Sequence, residues 1–295
     1  MWNFRRVIMA KKKHYSLDKN RQLRLIPSYI IILTWVIFTF VIIGWVFFAS
    51  FSTSQEIFSD HMFKFETGLH FENYMKAWTT QKVSVFFMNS LFYTVVACTS
   101  IILIASPAAY VLSRFKFKGN IPIQNLLASA LGIPAIMIVM PLFSVVSRLR
   151  LTNNRWLLIF LYIAMNVPFT VFFLLSFFKS LSSTYEEAAY IDGCSPMGTF
   201  WRIMFPLVQP GIITVTVFNF ITIWNEYFMS MIFANKPRVR PVAVGLFNMI
   251  QAMRYTGDWG GMFASVVIVF MPTFILYLFL SDRIIQGVTA GAIKG

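Results

Sequence analysis

The chain has 295 residues, 58% of them hydrophobic and 18% aromatic, and only 12% charged, against about a quarter in a soluble domain. That composition excludes an ordinary soluble fold and predicts an integral membrane protein. Basic residues outnumber acidic ones 25 to 11, a formal charge of +14, but they are scattered between apolar runs. The excess therefore points to cytoplasmic flanks and anionic lipid headgroups, and a soluble nucleic-acid-binding domain is excluded. Cys98 lies in an apolar run and Cys194 in a polar one, so no disulfide framework is implied, and His14, His61 and His70 are too dispersed for a metal site.

Residues 1–26 carry eight basic side chains against the single acid Asp18, a marker of the inside face. The apolar run from about 27 to 51 is too long for the core of a signal peptide and reads as an uncleaved first span. A mixed polar segment, 52–82, follows as the first outside loop. Further spans are predicted at about 84–112, 122–147, 156–178, 207–233 and 261–281, each able to cross about 30 Å of hydrocarbon at about 1.5 Å per residue. Six spans place both termini on the same, cytoplasmic side. Inside segments then hold 15 of the 25 basic residues, and the first eight supply the whole margin. Pro107, Pro134, Pro141, Pro168 and Pro272 fall within spans, where each removes a backbone hydrogen bond and permits a kink.

One long polar interruption divides the second half of the chain, from Glu186 to Pro206. Ser183 with Glu186, and Thr184 with Glu187, both fit the capping box, which predicts a helix starting near Thr184. Gly193 supplies the left-handed residue that ends it. Ser195 and Pro196 restart a helix as cap and first helical residue, and Pro206 stops it. Met197, Phe200, Trp201, Met204 and Phe205 form one apolar stripe on the second helix. On the first, Ala188 and Ala189 leave a smooth patch beside Glu187, where a partner surface can approach around one fixed charge. These features alone fit either a hairpin linking two membrane helices or a docking loop.

Glu187-Ala188-Ala189, Gly193, Ile203 and Phe205-Pro206 resemble, in type and spacing, the EAA motif of importer permeases of the ATP-binding-cassette (ABC) class, with Phe205 where that family usually has leucine. The resemblance implies a cytoplasmic coupling loop, about 183–206, that sits in a cleft of an ATPase subunit. By position, Glu187 is then the charged contact, Ala188 and Ala189 the close-approach surface, and Gly193 the turn. Phe71-Glu72-Asn73-Tyr74 resembles a stretch that precedes the second span in sugar-importer permeases. The terminal residues, 286–295, are by composition a flexible tail and resemble the end of maltose-type permeases that reaches toward the ATPase dimer.

Thr216, Asn219, Thr222 and Glu226 step along the fifth span as a polar stripe, with Asn225 beside Glu226. Glu226 is the one acid inside any predicted span, so it faces a water-filled route, a hydrogen-bonding partner on another helix, or the outer surface. Trp224-Asn225-Glu226-Tyr227 resembles a stretch of the fifth span in carbohydrate-importer permeases. That resemblance favours the pathway reading for Asn225, and with the stripe it makes Asn219, Thr222, Asn225 and Glu226 the expected substrate pathway, with aromatic faces beside amides and hydroxyls as a sugar requires. Arg148, Arg150 and Arg155 in one outer loop, and Lys236, Arg238, Arg240 and Arg254 in another, run against the positive-inside tendency. They either attract an acidic sugar, such as a uronate oligosaccharide, or an acidic binding protein, or else they meet lipid headgroups and cap helix ends.

The expectation is an all-α polytopic membrane protein: a cytoplasmic basic segment (1–26), a six-helix permease domain (27–281) with a helix-turn-helix coupling loop, and a cytoplasmic tail (282–295). No G-x-x-x-x-G-K-[ST] loop occurs, so the chain is not itself an ATPase. The resemblance implies a second permease subunit, two ATPase subunits that hold ATP and magnesium, an external solute-binding protein, no cofactor on this chain, and residence in a bacterial cytoplasmic membrane. It leaves open a peptide, amino-acid or ion cargo in the same class. An ion-coupled secondary transporter is the more distant alternative, with Glu226 as its sole intramembrane acid. A membrane-embedded enzyme lacks clustered His, paired carboxylates or an activated nucleophile.

Overall fold

The structure, a computed structural model, describes residues 19–59 and 67–292, without the side chains of 19–24, Arg254 and 283–292. In hydrocarbon a backbone amide finds no water, so an apolar run satisfies itself as helix. All regular elements among the described residues are helical. In chain order they are α1 (Lys19–Ala49), the short α2 (Ser54–Ile57) and α3 (Glu72–Thr79), then the long α4 (Val83–Arg114). Next come α5 (Asn120–Leu131), α6 (Ala135–Arg148), α7 (Arg155–Ser180) and α8 (Thr184–Ile191). The segment α9 (Pro196–Thr199), a π turn (Phe200–Met204) and α10 (Phe205–Leu207) leads into α11 (Gln209–Trp224), α12 (Phe228–Phe233), α13 (Val242–Thr256) and α14 (Trp259–Ala292). The N-terminal residues 1–18, with most of the basic flank, lie outside the described residues.

Four helices are long and apolar enough to cross a bilayer alone: Leu25–Ala49 within α1, α4, α7, and Trp259–Asp282 within α14. The predicted span 122–147 is instead a pair, α5 and α6, bent by 97°. Gly132 and Ile133 separate them, and Pro134, extended at ψ 131, caps α6. Proline offers no amide and biases the residue before it away from helix, so Pro134 breaks the run outright. Pro107, Pro141, Pro168 and Pro272 remain inside continuous helices. The predicted span 207–233 also divides, because α11 stops at Trp224 before the short α12; the 75° turn between Leu207 and Gln209 falls at the start of the span, just past Pro206. Two further differences concern loops. The predicted outer loop 234–258 contains α13, whose Val242, Val244, Met249 and Met253 are buried. The tail expected to be flexible continues as helix to Ala292.

The core is built on α4 and α7. Ala97, Ile101, Ala105 and Ala109 recur every four residues on α4 and are fully buried. They let α7 approach closely with Leu158, Tyr162, Leu174 and Phe178. Lipid supplies no hydrophobic drive between membrane helices, so close dispersion contacts at small residues carry the association. By contrast α1 exposes apolar side chains on all sides, as a lipid-facing or partner-facing helix does.

Between α1 and α4 the outer segment is strapped to the start of α14. Asn73 donates through Nδ2 to the carbonyls of Ser50 (3.1 Å) and Ser52 (3.0 Å). Gln81 donates to Asp258 at 2.9 Å, and the Trp259 amide donates to Ser54 Oγ at 3.0 Å. Gly260 makes the approach possible, because a Cβ there would lie 2.5 Å from the Ser52 carbonyl oxygen and 2.6 Å from Asn73 Nδ2. Glu56 anchors the same segment. It forms a capping box with Thr53, and its carboxylate accepts from the amides of Thr53 (2.8 Å) and Thr67 (3.0 Å) and from both hydroxyls. Burial by itself raises the pKa of Glu56, but these donors outweigh it and hold the group at about 2, below its ordinary 4.5.

A carboxyl whose pKa is depressed by folding contributes stability above its unfolded pKa and loses it as pH falls toward the folded value. Thermal unfolding of the purified protein is therefore expected to drop between pH 4.5 and about 2. In Glu56→Gln that part of the acid dependence should vanish. An identical pH profile for the two proteins would show that the cap carries no such stability.

Candidate functional site

The hairpin after α7 is set by local chemistry. Gly193 sits at φ 74, a left-handed conformation that glycine adopts without strain. The Cys194 amide donates to the Ala189 carbonyl (2.9 Å) and the Gly193 amide to that of Tyr190 (3.1 Å), the paired bonds of a Schellman ending. Ser195 Oγ accepts from the Gly198 amide at 3.2 Å, with Pro196 opening α9. The start of α8 differs from the capping boxes the sequence suggests. Ser183 and Thr184 make no side-chain cap, and Glu186 lies instead 3.2 Å from Arg114 Nε at the end of α4. Pro206 does not stop the second helix. The π turn ahead of it, closed by the Phe205 amide on the Phe200 carbonyl, leads into α10, and the break falls at Val208.

These details divide the hairpin into two faces. Inward, Ala189, Phe200 and Met204 are buried. Phe200 packs on Tyr110 of α4 (ring centroids 5.2 Å) and on Phe178 of α7 (6.3 Å). Outward, Glu187 and Ala188 are exposed, with Tyr190 at 83%, Ile191 at 84% and Met197 at 66%. Of the two alanines expected to form a close-approach patch, Ala188 is exposed and Ala189 is buried, because successive helical residues point about 100° apart. The π turn likewise splits the expected stripe, leaving Met197 outside. Tyr190 and Ile191 are surface residues that sequence reasoning passed over, although two large apolar residues just before a helix-ending glycine were signal enough.

The polar stripe of α11 also separates. Asn219, 1% exposed, pairs with Thr170 of α7 through Nδ2–Oγ1 at 3.0 Å. Thr222 and Asn225 are exposed, Asn225 bonding back to the Ile221 carbonyl. Glu226 is not on α11 at all. Its carboxylate accepts from the amides of Met229 (2.7 Å) and Ser230 (3.0 Å) and from Ser230 Oγ (2.5 Å), at the head of α12. Tyr162 of α7 reaches the same oxygen at 3.4 Å. Trp224 is buried, stacked on Phe220 and donating to the Val269 carbonyl at 3.1 Å, so its face is not free for a sugar. Thr216 lines an open groove of ≈ 400 Å³ with Thr94, Thr99 and Phe220.

At the far end of the bundle, Asn89, Ser90 and Tyr93 on α4 hold the segment before α13. Asn89 Nδ2 donates to the carbonyls of Arg238 (3.1 Å) and Arg240 (3.0 Å), Tyr93 to that of Val239 (2.8 Å), and the Val242 amide donates to Ser90 Oγ (2.8 Å). Of the seven expected outer cations, Arg155 is part of this clamp, donating to Asn89 Oδ1 (3.1 Å) and the Arg238 carbonyl (3.0 Å). Arg240 is bound to the Asn235 carbonyl and lies over the Phe86 ring at 5.9 Å. Arg148, Arg150, Lys236 and Arg238 are exposed and form no ion pair among the described residues. The side chain of Arg254 is outside the described set. Among the described residues no three His, Cys, Asp or Glu side chains gather as a metal site.

The family model described as "Binding-protein-dependent transport system inner membrane component" matches residues 101–290. The chain belongs to this family. The permease is 35% identical over 251 residues to the probable ABC transporter permease YurM of Bacillus subtilis, covering 85% of this chain and 82% of that one. It is 32% identical over 267 residues to the diacetylchitobiose uptake permease NgcG of Streptomyces coelicolor, covering 90% and 88%. Its fold matches a chain of a bacterial ABC transporter that imports the acidic polysaccharide alginate, with a TM-score of 0.77 at 22% identity, over 90% of this chain and 98% of that one. The permease is thus an all-α, multi-pass inner-membrane component of a binding-protein-dependent transporter, a transport subunit and not an enzyme.

Removing the Glu226 carboxylate leaves the Met229 and Ser230 amides without their acceptor, while the Tyr162 and Ser230 hydroxyls keep each other at 2.6 Å; each amide left buried and unpaired costs about 1–3 kcal/mol. Glu226→Ala is expected to lower the unfolding temperature clearly, whereas Asn225→Ala, at an exposed position, stays within about 0.5 kcal/mol of the wild type. Equal unfolding temperatures for Glu226→Ala and wild type, measured by dye-monitored melting in detergent, would remove the capping role.

Proposed function

We propose that the permease imports a sugar or oligosaccharide across a bacterial cytoplasmic membrane, paired with a second permease subunit, driven by two ATPase subunits that bind ATP and magnesium, and supplied by an external binding protein. It has six spans in this reading, counting α5 with α6 as one and α11 with α12 as another, with both termini and the hairpin on the cytoplasmic side. The observation that carries the proposal is the two-faced hairpin. Glu187, Ala188, Tyr190 and Ile191 offer an exposed charged and apolar surface on a segment that this reading places outside the bilayer. That surface fits an ATPase cleft with a cation for Glu187 and an apolar socket for Tyr190 and Ile191. A carbohydrate cargo is supported by the diacetylchitobiose relative and by the exposed Thr222 and Asn225, on and just past the end of the polar-striped α11. Asn219 and Glu226 support the pathway indirectly, by holding α11 against α7 and by ending it at Trp224. Ion-coupled transport finds less support, since Glu226 already accepts four hydrogen bonds within the bundle.

An acidic cargo is the sharper form of the reading, and it rests on Arg148, Arg150, Lys236 and Arg238, four exposed cations that form no ion pair among the described residues. Charges at a cleft mouth raise the local concentration of anions and do so less as salt rises.

The reconstituted complex should hydrolyse ATP faster when its binding protein delivers cargo, and Glu187→Ala should lose most of that stimulation while the protein remains folded. Stimulation equal to the wild type in Glu187→Ala would remove the charged contact, and a chain that binds no ATPase would remove the importer reading.

Uptake of uronate and neutral oligosaccharides through wild type and through Arg148→Ser/Arg238→Ser separates the cargo classes. Loss confined to the uronate, and largest at low salt, is expected. Equal uronate uptake by both proteins at low salt would show that these cations do not select the cargo.

A further inference from the structure

Arg114 stands where three elements meet. It is the last residue of α4 and its Nη2 donates to the carbonyl of Leu181, just past the end of α7, at 2.8 Å. Its Nε lies 3.2 Å from Glu186 in the first turn of α8. Both side chains are largely enclosed, at 15% and 21% exposure. The two contacts differ in kind. The bond to Leu181 is directional and fixes the guanidinium on the bundle. The contact with Glu186 has no aligned hydrogen bond, so it holds by charge, which depends on distance far more than on angle. The Tyr110 hydroxyl, one turn earlier on α4, hydrogen-bonds the same carboxylate, so Glu186 is tied to α4 at two points and a force on the hairpin reaches α4 through them. At its opposite end α4 carries Asn89, Ser90 and Tyr93, which clamp the segment before α13.

We propose that Arg114 is a positioning residue of the transport cycle, the joint through which movement of the hairpin is passed into α4 and along it to the outer clamp. The proposal rests on the permease reading above. It assigns Glu186 a different task from its neighbour Glu187: Glu187 faces out of the protein, and Glu186 ties that surface to the bundle.

The test uses the full complex in proteoliposomes, with Cys98 and Cys194 replaced by serine and a single reporter cysteine at the exposed Thr222. Its reaction rate with a membrane-impermeant maleimide is measured without nucleotide and with magnesium-ATP and vanadate. In the Arg114-containing protein the nucleotide state should change the rate. Arg114→Ala should assemble with the ATPases and lose that change, by a factor in the range of about 5 to 150 expected for coupling between sites. Arg114→Lys, which keeps the charge, should recover part of it. A nucleotide-dependent change in Arg114→Ala as large as in its parent would overturn the proposal. Should Arg114→Ala fail to assemble, Glu186→Gln, which removes the charge at constant size, takes its place with the same expectation. Failure of both to assemble would make the pair a folding element and would equally overturn the proposal. A parent protein that binds no ATPase is a separate result, and it would remove the permease reading itself.

Discussion

The constraint on which the rest of the structure depends is that backbone amides and carbonyls inside a membrane find no water. Straight helices meet it without help, and several departures from a straight helix are met by a side chain. Glu226 supplies the acceptor for the amides that open α12. Asn89 and Tyr93 supply donors for three carbonyls of the irregular segment before α13. Asn73 does so for the carbonyls that follow α1, and Arg114 for Leu181 after α7. Since an unpaired buried group costs about 1–3 kcal/mol, these side chains decide where the chain is able to break. A polar residue in an apolar span is therefore read first against the nearest irregular backbone and only then against a substrate.

Hydropathy made α1, α4, α7 and the membrane part of α14 legible, with ends close to those observed. It did not reveal the breaks at Pro134 and Asn225, because a hydropathy average counts side chains and is blind to whether a backbone amide is paired; the turn at Val208 falls two residues past the stop that Pro206 suggests. The helix α13 was hidden for a related reason. Its apolar stretch, Val242–Met253, is too short to span, and the cations of the preceding segment made the whole region look like a loop. The hairpin shows the opposite balance. Gly193, Ser195 and Pro196 were readable because their roles are settled by atoms within a few residues. The partner of Glu186 was not readable, since Arg114 lies far away in the chain and only packing brings it near. The phase of a two-turn helix such as α8 is also undetermined by its own sequence, which is why Ala188 and Ala189 could not be told apart.

The outer cations illustrate how one residue type divides between structure and surface. Arg155 and Arg240 have the same charge as Arg148 and Arg238, yet the first two spend their donors on Asn89 and on the carbonyls of Arg238 and Asn235. Guanidinium suits this work because its planar fork reaches several carbonyls at once, which an ammonium does less well. Counting cations by loop thus overstates the field at the outer mouth. What remains is the group whose side chains leave the protein, and its effect on an approaching anion depends on salt because those charges stay in solvent.

The hairpin and the outer clamp are linked by the way α4 is packed. Its fully buried alanines bring α7 close along most of its length, and close-packed interfaces shift between discrete arrangements more readily than they deform. A push on the exposed face of α8 cannot be absorbed within α8, which has only eight residues, or by the Phe200, Tyr110 and Phe178 rings, which are enclosed together. It must pass into α4 and α7 as units. The bent junction at Val208 differs in kind, because there the chain leaves the hairpin for α11 through a residue that belongs to neither helix. One side of the hairpin is therefore fastened to the bundle core, while the other continues through the buried bend at Val208 into α11, which together with α4 bounds the groove of Thr94, Thr99, Thr216 and Phe220. In the transport cycle we propose, rotation of the hairpin would change that groove through the angle between α11 and α4.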